Sequence, residues 1–388
     1  MIKRLTAMVL ILALMLVSAG CASMLEKEYL VINRYEDNRQ DDAENSQEGI
    51  SDYFSMKREI AALVAGHEEH GQLKFNNYSG SISDDLSKAC WEVKAATALG
   101  AYSIDYISYD LSQIISYYEA DIYITYKRSR DEVEAIVGVN SNSQAMECLE
   151  DAMAAYKRYL CIKMNTIITD ADTMKEYVQE IYYKNPLKFT ILPEVQINTY
   201  PDSGMEKIFE FSFDYGFNPK KLAGMKDSLI AAASDYAAGI RGDSPANKVI
   251  EISSLLAEEC QYDPDLSSNK NTKSQNGRNL GTTAYGALIQ KTADSEGMAM
   301  AFLALCMVEG IDCRVVRGRM DNIEHVWNMV KLGDSYYHVD VSQVKSRGMG
   351  ESILLNDEKI FGHYWWDKTA YPACDGSLNY YDLVAAQH

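Results

Sequence analysis

Three polar residues in the last third of this sequence have the types and the order that acyl-transfer chemistry requires. Ser295 lies in the stretch KTADSEGMAMAFLALC, where a loop turns into a long apolar helix. His325 begins the predicted strand HVWNMVKL, and Asp340 lies in the next one, SYYHVDVS. In a hydrolytic triad, an imidazole removes the proton of the nucleophile while a carboxylate orients the imidazole ring. Ser295, His325 and Asp340 are therefore the candidate catalytic residues.

The spacing of the two strands predicts that His325 and Asp340 touch. The strands are joined at Leu332 and Gly333, and a hairpin centred on that pair places His325 opposite Asp340. Directly opposed side chains lie about 4.5–5.5 Å apart at Cβ, which allows a hydrogen bond between an imidazole and a carboxylate. A bulge in the hairpin would break this register.

Ser295 fits two different roles at the start of its helix. The free amides and partial positive charge of a helix N-terminus stabilise an anionic nucleophile or intermediate, and Gly297 would leave room there for a substrate. Alternatively, Asp294 and Ser295 cap the helix without any chemistry, because both residue types readily accept the first free amide hydrogens.

Several segments around these residues resemble the core of the transglutaminase-like superfamily. They are AYGALIQKTADSEGMAMAFLALCMVEGIDCRVVRGRM, EHVWNMVKLGDSYYHVDVS and CQYDPD, within residues 245–375. The resemblance implies a papain-like fold and a Cys-His-Asp triad that transfers acyl groups from amide substrates. It assigns His325 as the base and Asp340 as its orienting acid, and it places Ser295 at the position of the nucleophilic cysteine.

A serine at that position changes the expected function. A thiol has an unperturbed pKa of about 8.5 and ionises readily beside an imidazolium. A hydroxyl lies roughly five pKa units higher, so the same ion-pair route would cost on the order of 7 kcal/mol more. The favoured hypothesis is therefore a catalytically impaired module that binds a peptide, a protein or a cell-wall component. The alternative is an active peptidase, amidase or transamidase that uses Ser295, His325 and Asp340.

Other residues could complete a binding cleft. Tyr285 and Trp327 are candidate substrate-binding residues, and Tyr285 could also donate to an oxyanion. The aromatic tail GHYWWDKTAYPACDG, residues 362–376, is either core packing or an exposed ledge for a ligand. Cys306 lies eleven positions from Ser295, about 16 Å along the helix, and is expected to be core. The sequence contains no Cys-x-x-Cys pair and no phosphate-binding loop, so we expect neither a metal nor a cofactor.

The N-terminus has the pattern of a bacterial lipoprotein signal. Lys3 and Arg4 precede the apolar run 7–17, and small residues lead to Cys21. The pattern predicts a signal peptide over 1–20 and acylation of Cys21, which would anchor the chain outside the plasma membrane. Ordinary secretion is the alternative. The net charge of −19 argues against nucleic acid as a partner.

The remaining sequence is predicted to fold as α+β. After the lipidated Cys21, an acidic spacer extends to residue 50, and an α/β region occupies 51–222. Within that region, the helical and strand patterns at 84–101 and 119–129 recur at an offset of 87 residues, which suggests a duplicated unit. The transglutaminase-like domain follows over 223–388, with helices packed on an antiparallel sheet whose strands are predicted at 313–320, 325–332 and 335–344.

Overall fold

The computed structural model of the protein describes residues 49–166, 169–268 and 279–385. The predicted signal peptide, Cys21 and nearly all of the predicted spacer lie outside these ranges. In the described residues, no helix combines the length and the apolar character needed to cross a membrane.

A first α/β unit, residues 53–126, packs helices on a three-stranded antiparallel sheet of order β1-β3-β2. The elements are α1 (Tyr53–Ala65), β1 (His70–Phe75), α2 (Ile82–Ala96), α3 (Ala98–Ser103), β2 (Ile104–Ile114) and β3 (Tyr117–Tyr126). The side chains of Asp52 and Ser81 accept amide hydrogen bonds as N-caps of α1 and α2. The unit has its own apolar core, which includes Leu86 and Ile122.

A second α/β unit, residues 142–214, has the same order of elements except that it has no counterpart of α3. It is preceded by α4 (Arg130–Glu134) and β4 (Val137–Val139), and consists of α5 (Asn142–Ala154), β5 (Tyr159–Asn165), α6 (Ala171–Lys184), β6 (Glu194–Tyr200) and β7 (Glu206–Asp214). The sheet order is β4-β5-β7-β6, and β4 pairs in parallel with β5. The strands β5-β7-β6 thus repeat the arrangement β1-β3-β2.

The two units correspond at an offset of 89 residues, and the predicted offset of 87 is wrong by two. His70 pairs with Tyr123 in the first unit, and Tyr159 pairs with Ser212 in the second. Because strand side chains alternate with a period of two, an error of two residues keeps the same face buried and cannot be detected from the apolar pattern.

The C-terminal part of the chain surrounds a central helix with further helices and a five-stranded sheet. The helices and strands are α7 (Pro219–Gly239), α8 (Pro245–Glu259), β8 (Gln261–Tyr262), α9 (Asp265–Ser268), β9 (Thr292–Ala293), α10 (Ser295–Val308), β10 (Cys313–Met320), β11 (Ile323–Leu332), β12 (Ser335–Val339), α11 (Val344–Arg347), β13 (Ile353–Leu355), α12 (Asp357–Ile360), β14 (Tyr364–Trp366) and α13 (Tyr380–Ala385). The large sheet is antiparallel and has the order β13-β12-β11-β10-β14.

Helix α10 is buried on nearly all sides. Its residues from Gly297 to Cys306 are all buried, as expected for a helix that is apolar around its whole circumference. Cys306 lies in this core, as predicted. The cysteines of the described residues are free thiols, and four of them are buried: Cys90, Cys260, Cys306 and Cys374.

The hairpin between β11 and β12 differs from the predicted register. Leu332 pairs with Ser335 around a turn at Gly333 and Asp334, which shifts the pairing so that Asn328 faces Val339. Strand β12 ends at Val339 because the Asp340 side chain caps a short 3₁₀ turn, Val341–Gln343. The predicted third strand, 335–344, is therefore too long.

The second α/β unit and the C-terminal part share one continuous apolar core, which runs from Val139 to Leu354 in sequence. Helix α7 passes through the predicted domain boundary at 222/223, because Asn218 caps the helix and Pro219 occupies its first turn. The second unit therefore packs directly on the elements that carry the candidate site.

Candidate active site

Ser295 is the first residue of α10, but it does not cap the helix. The Asp294 side chain is the N-cap and accepts the Gly297 N–H at 2.9 Å. The Ser295 hydroxyl instead accepts the N–H of Val326 at 3.4 Å. Ser295 therefore lies beside β11, next to the backbone of the residue that follows His325, and its side chain is half-buried.

Gly297 does not leave room for a substrate, contrary to the prediction. A Cβ atom at this position would lie 2.1 Å from the carbonyl oxygen of Gly281. The same carbonyl accepts the N–H of Asp294 at 3.1 Å. The glycine is needed because the backbone before the helix packs directly against its first turn.

His325 and Asp340 are in contact. The Nε2–H of His325 donates to Oδ2 of Asp340 at 2.7 Å, and the two residues are 5% and 3% exposed. They are not cross-strand partners, because Asp340 is the first residue beyond β12. The pair nevertheless has the arrangement in which a carboxylate fixes the orientation of an imidazole.

Asp340 is surrounded by further donors. Its Oδ1 accepts the Ser342 amide at 3.1 Å and the Ser342 hydroxyl at 2.6 Å, while Oδ2 also accepts the Tyr364 hydroxyl at 2.8 Å. Burial alone would raise the pKa of Asp340, but His325 and these hydrogen bonds outweigh it and hold the pKa below its ordinary value. Asp340 is therefore a stable carboxylate partner for His325.

Tyr364 belongs to this site, a role that the sequence did not reveal. It lies in the aromatic tail, where edge strand β14 pairs Tyr364 with Met320. Tyr364 is buried, Trp366 and Tyr371 are half-buried, and Trp365 is 46% exposed. Three of the four Tyr and Trp rings of the tail are thus packed and one is exposed. The proximity of Tyr364 to Asp340 could not be predicted from local patterns.

Trp327 is 1% exposed, which does not fit its predicted role as a substrate contact. Its ring lies 6.2 Å from that of His325 and nearly parallel to it. Its Nε1–H donates to Nδ1 of His338 at 3.1 Å, and Nε2–H of His338 donates to Asp357 at 2.9 Å. Trp327 therefore supports His325 from the interior.

Part of the chain matches a known protein family. Residues 234–341 match the family model described as "Transglutaminase-like superfamily". Residues 234–341 form a transglutaminase-like domain. The match confirms the resemblance, although it begins before and ends short of the predicted range 245–375. No curated protein matches the chain.

Solved structures with transglutaminase or protease descriptions are among the matches. One is described as the crystal structure of a TGase, at 11% identity and a TM-score of 0.28, over 57% of this chain and 60% of that one. A putative cysteine protease from Cytophaga hutchinsonii matches at 14% identity and a TM-score of 0.24, over 39% and 62%. A putative protease from Parabacteroides distasonis matches at 9% and 0.21, over 46% and 39%. This chain spans less than two thirds of each of these chains.

Two carboxyl groups flank Ser295 in the transglutaminase-like domain. Burial raises the pKa of Asp294 to about 6, although the amides of the helix start and His325 oppose this effect. Burial likewise raises the pKa of Glu296 to about 7, and the hydrogen bond from the Tyr183 hydroxyl, 2.6 Å long, partly offsets it. A further negative charge at position 295 would be unfavourable between these groups.

Tyr262 also lies close to the site. The pairing of β8 with β9 places Tyr262 beside Ala293. Burial together with the neighbouring Asp340 and Asp294 raises its pKa to about 12. The segment CQYDPD was one of those that resembled the family, but no local pattern singled out this tyrosine.

Tyr285 is half-buried and packs against the main core. Within the described part of the chain, its hydroxyl makes no hydrogen bond. Its predicted role at the groove or at an oxyanion remains a prediction.

A possible metal site outside the candidate triad is formed by His338, Asp357 and Cys374, whose ligand atoms lie within 4.8 Å of one another. Both ring nitrogens of His338 are already in hydrogen bonds. Burial raises the pKa of the Cys374 thiol, which opposes formation of the thiolate that a metal requires. The cluster is better suited to a hydrogen-bond chain that holds Trp327 in place.

Proposed function

We propose that this protein is a surface lipoprotein whose transglutaminase-like domain binds a peptide, a protein or a cell-wall component and is catalytically impaired. Ser295 stands where the family's nucleophilic cysteine is expected. The observation that carries the proposal is the hydrogen bonding of Ser295. Its hydroxyl accepts the Val326 N–H, and it makes no hydrogen bond to the His325 ring in the described residues.

The chemistry of the flanking groups supports this proposal. Activation of a serine by formation of an alkoxide would cost on the order of 7 kcal/mol more than formation of a thiolate. Asp294 and Glu296 add to this cost, since an anion between two carboxyl groups is repelled whenever either of them is ionised. A site with a preserved His325–Asp340 pair and an unactivated hydroxyl favours recognition over cleavage.

The second candidate function is acyl transfer by Ser295 itself. It is favoured by the hydrogen bond of 2.7 Å between His325 and Asp340, which holds the ring as a general base requires. In that case His325 would remove the hydroxyl proton during the attack on an amide carbonyl.

Enzyme assays on the full chain distinguish the two functions. We expect wild type to release no ammonia or cleavage product from pooled glutamine-containing peptides, and to resist a fluorophosphonate probe. Ser295→Cys should become reactive towards iodoacetamide at position 295, and this reactivity should decrease in the Ser295→Cys, His325→Ala double variant. Ser228→Cys, an exposed thiol on α7, is the matched control for ordinary thiol reactivity. Turnover by wild type that is lost in His325→Ala would establish the second function instead.

The location outside the plasma membrane, anchored through acyl chains on Cys21, is part of the proposal. Cell fractionation and mass spectrometry of the N-terminal peptide test it. We expect wild type in the membrane fraction with an acylated Cys21. The Cys21→Ser variant should be absent from the membrane fraction and should carry no acyl chain at position 21. Unacylated wild type in the culture medium would instead support ordinary secretion.

A further inference from the structure

Arg317 lies next to Ser295. It pairs across β10 and β11 with Val326, the residue whose N–H donates to the Ser295 hydroxyl. Its neighbour two positions earlier, Val315, packs in the main core that contains α10. Because strand side chains alternate, Arg317 projects on the same side of the sheet as α10. The side chain is exposed.

The second α/β unit holds the guanidinium group in place. The Arg317 Nη1–H donates to Oε1 of Gln179 at 2.6 Å, and its Cζ lies 4.9 Å from the centre of the Tyr183 ring. Both partners are on α6. The Tyr183 hydroxyl in turn donates to Glu296, the residue after Ser295. A long side chain that is stacked and hydrogen-bonded loses less conformational freedom when it binds a ligand.

The remaining N–H groups of Arg317 are available to a ligand. A guanidinium has five N–H donors, and Gln179 accepts from Nη1 only. In the described residues, Arg317 has no acidic partner within ion-pair distance. Glu296 is near enough for the positive charge of Arg317 to oppose the rise in its pKa, but its carboxyl accepts from Tyr183.

We propose that Arg317 binds a carboxylate of a ligand that lies beside Ser295, and that Gln179 and Tyr183 orient the guanidinium for this purpose. The ligand would then be a peptide or peptide-like molecule with an acidic side chain or a free terminal carboxylate near the recognised position. A guanidinium and a carboxylate form two parallel charge-assisted hydrogen bonds, which give both affinity and orientation. This inference rests on the proposed function, since it takes Ser295 to mark the place where the ligand binds.

Two alkylating reagents of nearly equal size test the carboxylate site without knowledge of the ligand. In the full chain with Ser295→Cys, the rates of labelling at 295 by iodoacetate and by iodoacetamide are measured by peptide mass spectrometry. In both reactions the thiolate sulfur forms a bond to the CH₂ carbon and iodide leaves. The ratio of the two rates therefore cancels differences in thiol ionisation and reports attraction of the carboxylate.

We expect Arg317→Gln to lower the ratio of iodoacetate to iodoacetamide rates by about fivefold or more, the effect of losing one unit charge at short range in a partly solvated site. Arg319→Gln is the matched control, because Arg319 is exposed on the same strand and side but pairs with Glu324, one position before His325. It should change the ratio by less than about twofold. An unchanged ratio in Arg317→Gln, or an equal fall in both variants, would overturn the inference.

Binding of peptides to the wild-type chain decides the matter if the thiol at 295 labels too slowly. Two comparisons use pools of acetylated pentapeptides. One compares pools that have a free C-terminus with pools that have an amidated C-terminus, and the other compares pools that contain Glu with pools that contain Gln. Preference for a free C-terminus, or for Glu, that disappears in Arg317→Gln supports the inference and identifies the source of the carboxylate. Binding without any charge preference would contradict the inference but leave the proposed function intact, whereas no binding by any pool would contradict both.

Discussion

The raised pKa of Glu296 predicts how the free energy of unfolding depends on pH. Burial raises its pKa from an ordinary value near 4.5 to about 7. A carboxyl whose pKa is higher in the folded state binds its proton more tightly there than in the unfolded chain. Its contribution to stability is therefore fully present below pH 4.5 and is lost as the pH rises through 7. The difference between the two pKa values corresponds to about 3 kcal/mol.

The variant Glu296→Gln should not lose stability as the pH rises through 7, because its side chain cannot ionise. A glutamine resembles the protonated carboxyl, and its carbonyl can still accept the Tyr183 hydroxyl. We expect the variant to match wild type within about 1 kcal/mol at pH 5, and to be more stable by about 2–3 kcal/mol at pH 8. The lower end allows for the solvent that still reaches the half-buried residue.

Urea unfolding followed by tryptophan fluorescence measures the effect, with free energies obtained by linear extrapolation. Three of the four tryptophans lie in the C-terminal part, at 327, 365 and 366, so the signal reports on that part. Glu176→Gln, an exposed position on α6, is the matched control and should change little at either pH. An equal loss of stability by Glu296→Gln at pH 5 and pH 8 would refute the reasoning, and with it the repulsion of an anion at Ser295.

Three further substitutions test the packing around the site. Tyr364→Phe removes a hydroxyl that donates to the buried Asp340, and should lower the free energy of unfolding in urea by about 1–3 kcal/mol. Gly297→Ala forces a Cβ against a backbone oxygen 2.1 Å away and should cost at least about 2 kcal/mol, whereas Gly224→Ala, in open space on α7, should raise the thermal midpoint slightly. Trp327→Phe leaves the buried ring nitrogen of His338 without its donor and should cost about 2 kcal/mol by the same urea assay.

The sequence was sufficient for those features that depend on local patterns. The alternation of apolar residues located β10, β11 and the buried helix α10. It also put His325 and Asp340 close enough to bond, although for the wrong reason. The actual turn contains Gly333, whose φ of +64° suits a left-handed position, and this turn moves the pairing by two residues. Asp340 reaches His325 because it leaves the strand and turns towards the ring.

Contacts between distant segments could not be predicted in this way. Tyr364 is 24 residues from Asp340 in the chain, and Tyr183 is 113 residues from Glu296. Neither contact follows from a repeat period or a turn motif, because each depends on how whole elements pack. The same applies to Trp327, whose burial is set by His338 and β14 rather than by its own strand pattern.

The second α/β unit contributes side chains to the candidate site that the first α/β unit does not. At the offset of 89 residues, Tyr183 on α6 corresponds to Lys94 on α2, and Gln179 corresponds to the buried Cys90. The Lys94 side chain donates to the backbone of its own unit, at Asp105. Of the two units, as far as the structure describes them, the second alone has side chains that contact Glu296 and Arg317. The second unit therefore contacts the candidate site in addition to packing on the core. Under the proposed function, a ligand beside Ser295 would contact both the transglutaminase-like domain and α6. Substitutions of Gln179 and Tyr183 should then alter which ligands bind without disturbing the His325–Asp340 pair.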